Sequence, residues 1–279
     1  MNIQIKASFK KEFLAFFRTN RFLIIALVII GLSVLSPLLI TGLSSLMDSM
    51  SDVYNDLGMD VSEMTGMLSS SASIGVSSSV SDITGAGLIV FLLLINRAAG
   101  GEQKKRTVII PRSAGLRSLA YILPKFVIYP LSAFVLAVLA MIASWAVSIR
   151  VFDLNDVTFG AVLLSGTLSG VCLMLYVCFH LALGTATGKA GMSAAVCIAA
   201  SVLLPNILSA TGSGYMYNPF TLEFLAASAV HNTFISGTHL VDIVGTVIFA
   251  LALMLASYFI ALFAQNAKRI DNSGNEIDL

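Results

Sequence analysis

The chain has 279 residues, of which 57% are hydrophobic and only 11% charged, and its formal net charge is +1. An ordinary water-soluble domain carries about 25% charged residues, so a soluble globule is excluded and lipid has to be part of the solvent. The near-neutral charge gives no argument for a nucleic-acid partner, and none is expected; the length suits one compact helical membrane domain. The three cysteines, Cys172, Cys178 and Cys197, all fall in apolar stretches and read as small buried hydrophobes rather than disulfide or metal partners.

In chain order, residues 1–21 place Phe9, Phe13, Phe16 and Phe17 at helical spacing among Lys6, Lys10 and Arg18, the pattern of an amphipathic helix lying on a membrane surface. A spanning helix needs roughly 20 apolar residues. Such runs occur at about 22–43, 83–101, 123–149, 159–183, 191–209 and 241–264. The first is too long for a cleaved signal segment and reads as an anchor. The runs are continuous rather than alternating, so they predict helices and not barrel strands. The expected fold class is therefore an all-α integral membrane domain of six transmembrane helices. With six spans, fifteen of the sixteen Lys and Arg residues fall on one side, Arg150 being the exception. The positive-inside rule assigns that side, with both termini, to the cytoplasm. The expected location is a cell membrane, read as the bacterial cytoplasmic one.

The connections differ in character. The first external loop, 44–82, carries Asp48, Asp52, Asp56, Asp60, Glu63 and Asp82 but no Lys or Arg. Leu46, Met50, Val53, Leu57, Val61, Met64 and Leu68 predict an acidic amphipathic helix there, and the serine-rich 69–81 predicts a flexible linker. The last external loop, 210–240, is too apolar to be solvated and is expected to dip into the membrane as short half-helices. Its Tyr215, Tyr217, Pro219, Phe220 and Phe224 are candidates for an extracellular gate. Residues 270–279 form an acidic C-terminal tail.

The loop 97–125 carries more punctuation than topology requires. Gly100 and Gly101 end the second span, Glu102, Gln103, Lys104, Lys105 and Arg106 follow, and Thr107 to Ile110 is short and apolar. Pro111, Arg112, Ser113, Gly115, Leu116, Arg117 and Ser118 then lead to Pro124 and Lys125. Ser113 can cap a short helix. A loop that only sets orientation needs charge, whereas this one reads as a docking element.

The run Glu102, Thr107, Pro111-Arg112-Ser113 and Lys125 resembles the type-2 membrane permeases of ATP-binding-cassette (ABC) exporters. There a Glu-x-x-x-Gly-Thr pattern, a Pro-x-Ser element and a Lys at the third span frame the helix that sits in a cleft of the ATPase subunit. Arg106 stands where that family commonly has Gly. The resemblance implies coupling residues Glu102, Gln103, Lys104, Thr107, Pro111, Arg112, Ser113, Gly115 and Leu116. It also implies two copies of a separate ABC ATPase subunit, a second permease copy or homologous permease, and ATP with Mg on the ATPase rather than any cofactor in this chain. The implied function is export of an amphipathic or hydrophobic cargo such as a peptide, drug or lipid. A non-transporting scaffold or sensor subunit and an ATP-independent transporter are the competing classes.

Other motifs fail on spacing. Gly184-Thr-Ala-Thr-Gly188-Lys189-Ala190 has too few residues between its glycines for a phosphate loop, and lacks the hydroxyl after Lys that holds Mg. It reads as a turn, and the chain as a transport subunit rather than an enzyme. Ser193 has no evident base in sequence reach for protease chemistry, and His231 with His239 lacks a third ligand for a metal. Gly166 and Gly170 predict close helix packing within the bundle. The span interiors read as free of Asp, Glu, Lys and Arg, with His180 near an interface, which argues against proton coupling.

Overall fold

A computed structural model describes residues 2–50, 71–104, 115–152, 154, 156–210, 217–231, 240–270 and 276–278. Helix α1 (Asn2–Phe17) leads through a turn at Asn20 into α2 (Arg21–Ser49). The next span is a composite. It runs from α3 (Ala72–Asp82) through a π-turn (Ile83–Gly87) and α4 (Leu88–Leu94) to a second π-turn (Arg97–Gly101), and α5 (Glu102–Lys104) follows it. Then come α6 (Ser118–Val151), α7 (Phe159–Thr187), α8 (Ala190–Ala210), a 3-10 turn (Pro219–Thr221), α9 (Leu222–Val230) and α10 (Leu240–Ala267). The chain closes in a short antiparallel ladder, Lys268–Ile270 with Glu276–Asp278, so part of the expected acidic tail is paired. Among the described residues, six helices are long and apolar enough to cross a membrane.

The bundle is built around α7, in which 72% of the residues of an apolar 18-residue stretch are buried, against 22% in α10. Gly166 and Gly170 of α7 face α6. A methyl group added at Gly170 would lie 2.6 Å from the Phe134 ring, and one at Gly166 would lie 3.3 Å from the Val138 backbone. Close packing inside the chain is thus their use, since small residues let helices approach when lipid supplies no hydrophobic drive. Thr158 caps the start of α7 by accepting from the Ala161 amide, and Gly188 ends it at φ 69°. The glycine pair at 184 and 188 therefore belongs to a helix C-terminus, as the turn reading expected. The three cysteines are buried thiols without a disulfide.

The serine-rich segment departs from expectation. Instead of a linker, Ala72–Asp82 is the first third of the second span, which runs Ala72–Gly101 and not 83–101. Serine composition signals solvation in water, but in lipid the hydroxyls join helices. Ser78 pairs with Ser36 at 2.6 Å, while Ser79 pairs with Ser144 at 2.7 Å and donates to the Ser33 carbonyl at 3.0 Å. Gly75 lets α3 sit directly on Pro37, Ser148 and Phe152. The remainder of the acidic amphipathic helix expected at 46–68, residues 51–68, lies outside the described residues.

The start of α3 is capped from another loop. Ser71 makes no side-chain cap of its own; Asp156 accepts from the Ser73 amide at 3.0 Å and from the Ser71 hydroxyl at 2.6 Å. Slight burial works against its charge, but these hydrogen bonds win and hold the carboxyl below its ordinary value. A depressed value means that the stabilisation is complete above the ordinary Asp range and fades as pH falls through it. Asp156→Ala is expected to cost about 1 kcal/mol, and the wild-type advantage should vanish in acid. Denaturation of the two proteins at neutral and acidic pH checks this.

Candidate functional site

The two described ends of the loop 97–125 meet at a buried polar cluster. Of the loop's candidate residues, Thr107, Pro111, Arg112 and Ser113 lie outside the described residues; Glu102, Gln103, Lys104, Gly115 and Leu116 lie within them. Glu102 is 7% exposed at the start of α5, and Lys125, about two turns into α6, is 1% exposed. Lys125 Nζ reaches Glu102 Oε2 at 2.7 Å, Tyr121 Oη at 2.8 Å and the Ala98 carbonyl at 3.0 Å, which uses all three ammonium hydrogens. The Tyr121 hydroxyl in turn donates to Glu102 Oε2 at 3.0 Å. The Ala98 carbonyl is presented by the second π-turn, a feature that recurs at functional sites.

Burial alone would push the Glu102 carboxyl up; Lys125, and after it Lys11, more than reverse this and hold it at about 2. Lys125 corrects the reading that the spans hold no ionisable group: it lies inside a 34-residue helix, fully enclosed. Asp242, 5% exposed near the start of α10, is a second such group. The burial is tolerable because every charge has a partner.

The same cluster receives α1. Lys11 reaches Glu102 Oε1 at 3.2 Å, and Glu12, 4% exposed, accepts from the Tyr129 hydroxyl at 3.1 Å. Phe16 is buried against Tyr129 and Phe22, with ring centroids 5.0 and 5.6 Å away. The phenylalanine stripe is thereby split: Phe16 turns into the protein, while Phe13 and Phe17 remain exposed. Gln4 Nε2 donates to the Gly115 carbonyl at 3.2 Å, so α1 touches both flanks of the loop. Gly115 has φ 85°. Leu116 packs with Tyr121 and Ile122, and Gln103 donates to Gln265 at 2.8 Å, bringing in the end of α10. Lys104 ends α5. Sequence spacing did not foretell the meeting of Lys11, Glu102 and Lys125; its trace was a Lys set among apolar residues just inside a span.

At the opposite end, Pro219 and Phe220 form the 3-10 turn, with the Phe220 amide held by Asn218 Oδ1 at 3.0 Å. Phe220 lies 6.4 Å from Tyr176 and 6.3 Å from Phe179, centroid to centroid. Those residues are about 26 and 30 Å along α7 from its start, so Phe220 meets α7 beyond the middle of its 29 residues. Phe224 is half-buried on α9, and the exposed Tyr217 lies over Gly245 of α10. Tyr215 is outside the described residues.

Ser193 does have a histidine within reach. His180 Nδ1 is 2.9 Å from Ser193 Oγ, both residues are buried, and the Ser193 hydroxyl also donates to the His180 carbonyl at 2.7 Å. That donation spends the hydroxyl proton, so Nδ1 must carry the hydrogen between them and cannot act as a base toward Ser193. The pair clasps α7 to α8. Ser193→Ala should therefore cost about 0.6–1.7 kcal/mol, measured by denaturation in detergent, and should be matched by a small residue's packing rather than rescued by Cys.

Compared with protein-family models and with curated proteins, the sequence matches none.

Proposed function

We propose that this chain is the membrane-spanning permease subunit of an ABC exporter, working as two permeases with two separate ATPase subunits. The observation that carries the reading is the buried Lys125–Glu102 pair at the base of the loop 97–125, joined by Lys11 of α1. A loop that only marks orientation has no need of such an anchor. A lever that must pass a push from a cytoplasmic subunit to the spans does, because force travels only through elements that are rigidly held. In this reading Gln103, Lys104, Thr107, Pro111, Arg112 and Ser113 face the ATPase, and α1 lies along the cytoplasmic leaflet with Phe13 and Phe17 in lipid. ATP binding closes the ATPases, and the motion enters the second and third spans through Glu102 and Lys125. Tyr217, Pro219, Phe220 and Phe224 line the outer gate, and the cargo is amphipathic or hydrophobic.

The test is co-purification with an ATPase that carries a phosphate loop and an ABC signature and is encoded beside this chain. Pro111→Ala and Arg112→Ala are expected to weaken association about tenfold, near 1.4 kcal/mol, with the helical content of the permease unchanged. Full association and undiminished ATPase stimulation in both variants would remove the docking assignment.

A further inference from the structure

The wall formed by α6, α7 and α10 is not flush. Between Leu123–Pro130 of α6 and Leu251–Tyr258 of α10 lies a cleft of about 340 Å³, floored by Met174 and Cys178 of α7. Its rims, Val127, Leu251 and Leu255, are exposed, and Met254 is nearly buried. The Phe126 and Tyr258 rings meet edge to face at 5.6 Å and bridge its two walls. Pro130 contributes a compact ring rather than a long side chain to this wall.

The dimensions select the occupant. Leu123 to Pro130 covers about 10 Å along the helix, so the volume corresponds to a cleft about 9 Å across once a water radius is added on each side. A helix, roughly 10–12 Å across, does not fit. A single hydrocarbon chain does, and a cleft with almost no polar lining in a wall that faces lipid has no other ligand chemistry to satisfy. Leu116 packs on the same cluster as Phe126 and Tyr258, and its neighbour Arg117 is exposed. Arg117, the residue before α6, is about 20 Å from Pro130 along the helix axis, enough to span one leaflet, roughly 15 Å of hydrocarbon.

We infer that this cleft is a binding site for one acyl chain of a phospholipid from the leaflet at the basic end of the bundle, with the lipid phosphate held at Arg117. The inference needs a bilayer but not the ATPase, so it can fail or stand independently of the transport reading.

The test uses the full chain in nanodiscs of phosphatidylcholine doped with phosphatidylcholine carrying a diazirine in mid-chain. After illumination, adducts are mapped by mass spectrometry. They should concentrate on Leu123–Pro130 and Leu251–Tyr258 relative to the equally exposed Val196, Val202 and Ile207 face of α8. Val127→Trp fills the channel from its rim and displaces two or so methylenes, so adducts there should fall about tenfold while those on α8 persist. Leu255→Trp repeats the test from the other rim in case the first variant folds poorly. Arg117→Ala should reduce labelling by the phospholipid but not by a diazirine alkane, which has no phosphate. Labelling spread evenly over all exposed faces, or unaffected by both Trp variants, or crosslinks joining two copies of the chain through the cleft would overturn the site; an unchanged Arg117→Ala pattern would overturn the headgroup contact.

Discussion

Glu102→Gln is expected to destabilise the protein by about 3–5 kcal/mol, because it leaves the Lys125 ammonium buried without its counter-charge. Lys125 is 1% exposed and has no route to water. Its remaining partners, the Tyr121 hydroxyl and the Ala98 carbonyl, supply dipoles but no charge. Lys125→Met should cost less, since Glu102 keeps Lys11 at 3.2 Å and lies at the helix end nearer solvent. The double variant Lys125→Met with Glu102→Leu should be more stable than Glu102→Gln alone, because removing both charges removes the penalty as well as the attraction. Lys11→Ala should cost under about 1 kcal/mol, as that side chain is 55% exposed and its pairing is screened. Denaturant titration of the four variants in one detergent orders them. A Glu102→Gln protein as stable as wild type would show that the cluster does not hold the loop base.

The acid response of this pair has a definite sign. The folded value of Glu102 is depressed to about 2, below the ordinary Glu value of about 4.3. Its contribution is therefore fully present above that ordinary value and is lost only as pH falls toward 2. A wild-type protein that lost this difference from Glu102→Gln already at pH 6 would contradict the pairing.

The six spans were legible because lipid admits only continuous apolar helices, and the run lengths say where they are. What failed to show was whatever depended on distant partners. Ser73, Ser78 and Ser79 read as linker because a serine's hydrogen-bond partner on another helix leaves no mark in its own window. Lys125 was assigned to a loop because charge usually means water; its partner Glu102 is 23 residues away, near the loop's other end. His180 and Ser193 are 13 residues apart across a turn, and only the fold shows that they touch. Glu102 was the reverse case: its neighbours in sequence marked it as special, while the burial that makes it so came from α1 and α6.

The other large effect is expected where two backbones meet. A methyl group on Gly184 would stand 2.7 Å from the Ala99 carbonyl oxygen, and one on Gly100 would stand 2.6 Å from the Gly184 oxygen. Both obstacles are main chain, which cannot rotate aside as a side chain would. Alanine is intrinsically better than glycine in a helix by about 1 kcal/mol, so an unstrained site should gain. Gly184→Ala and Gly100→Ala should instead each lose about 1–3 kcal/mol through overpacking. Gly31→Ala and Gly191→Ala, with nothing within 4 Å of the added carbon, should be neutral or gain and serve as controls. The two costs should be less than additive when combined, because the first substitution already forces the second π-turn away from α7. That turn presents the Ala98 carbonyl to Lys125, so the same displacement should loosen the ion pair. A double-mutant cycle between Gly184→Ala and Glu102→Gln reads the connection directly: a coupling energy above about 0.5 kcal/mol ties the glycine contact to the anchor of the loop, and a value of zero would mean that the packing of the π-turn and the position of Lys125 are independent.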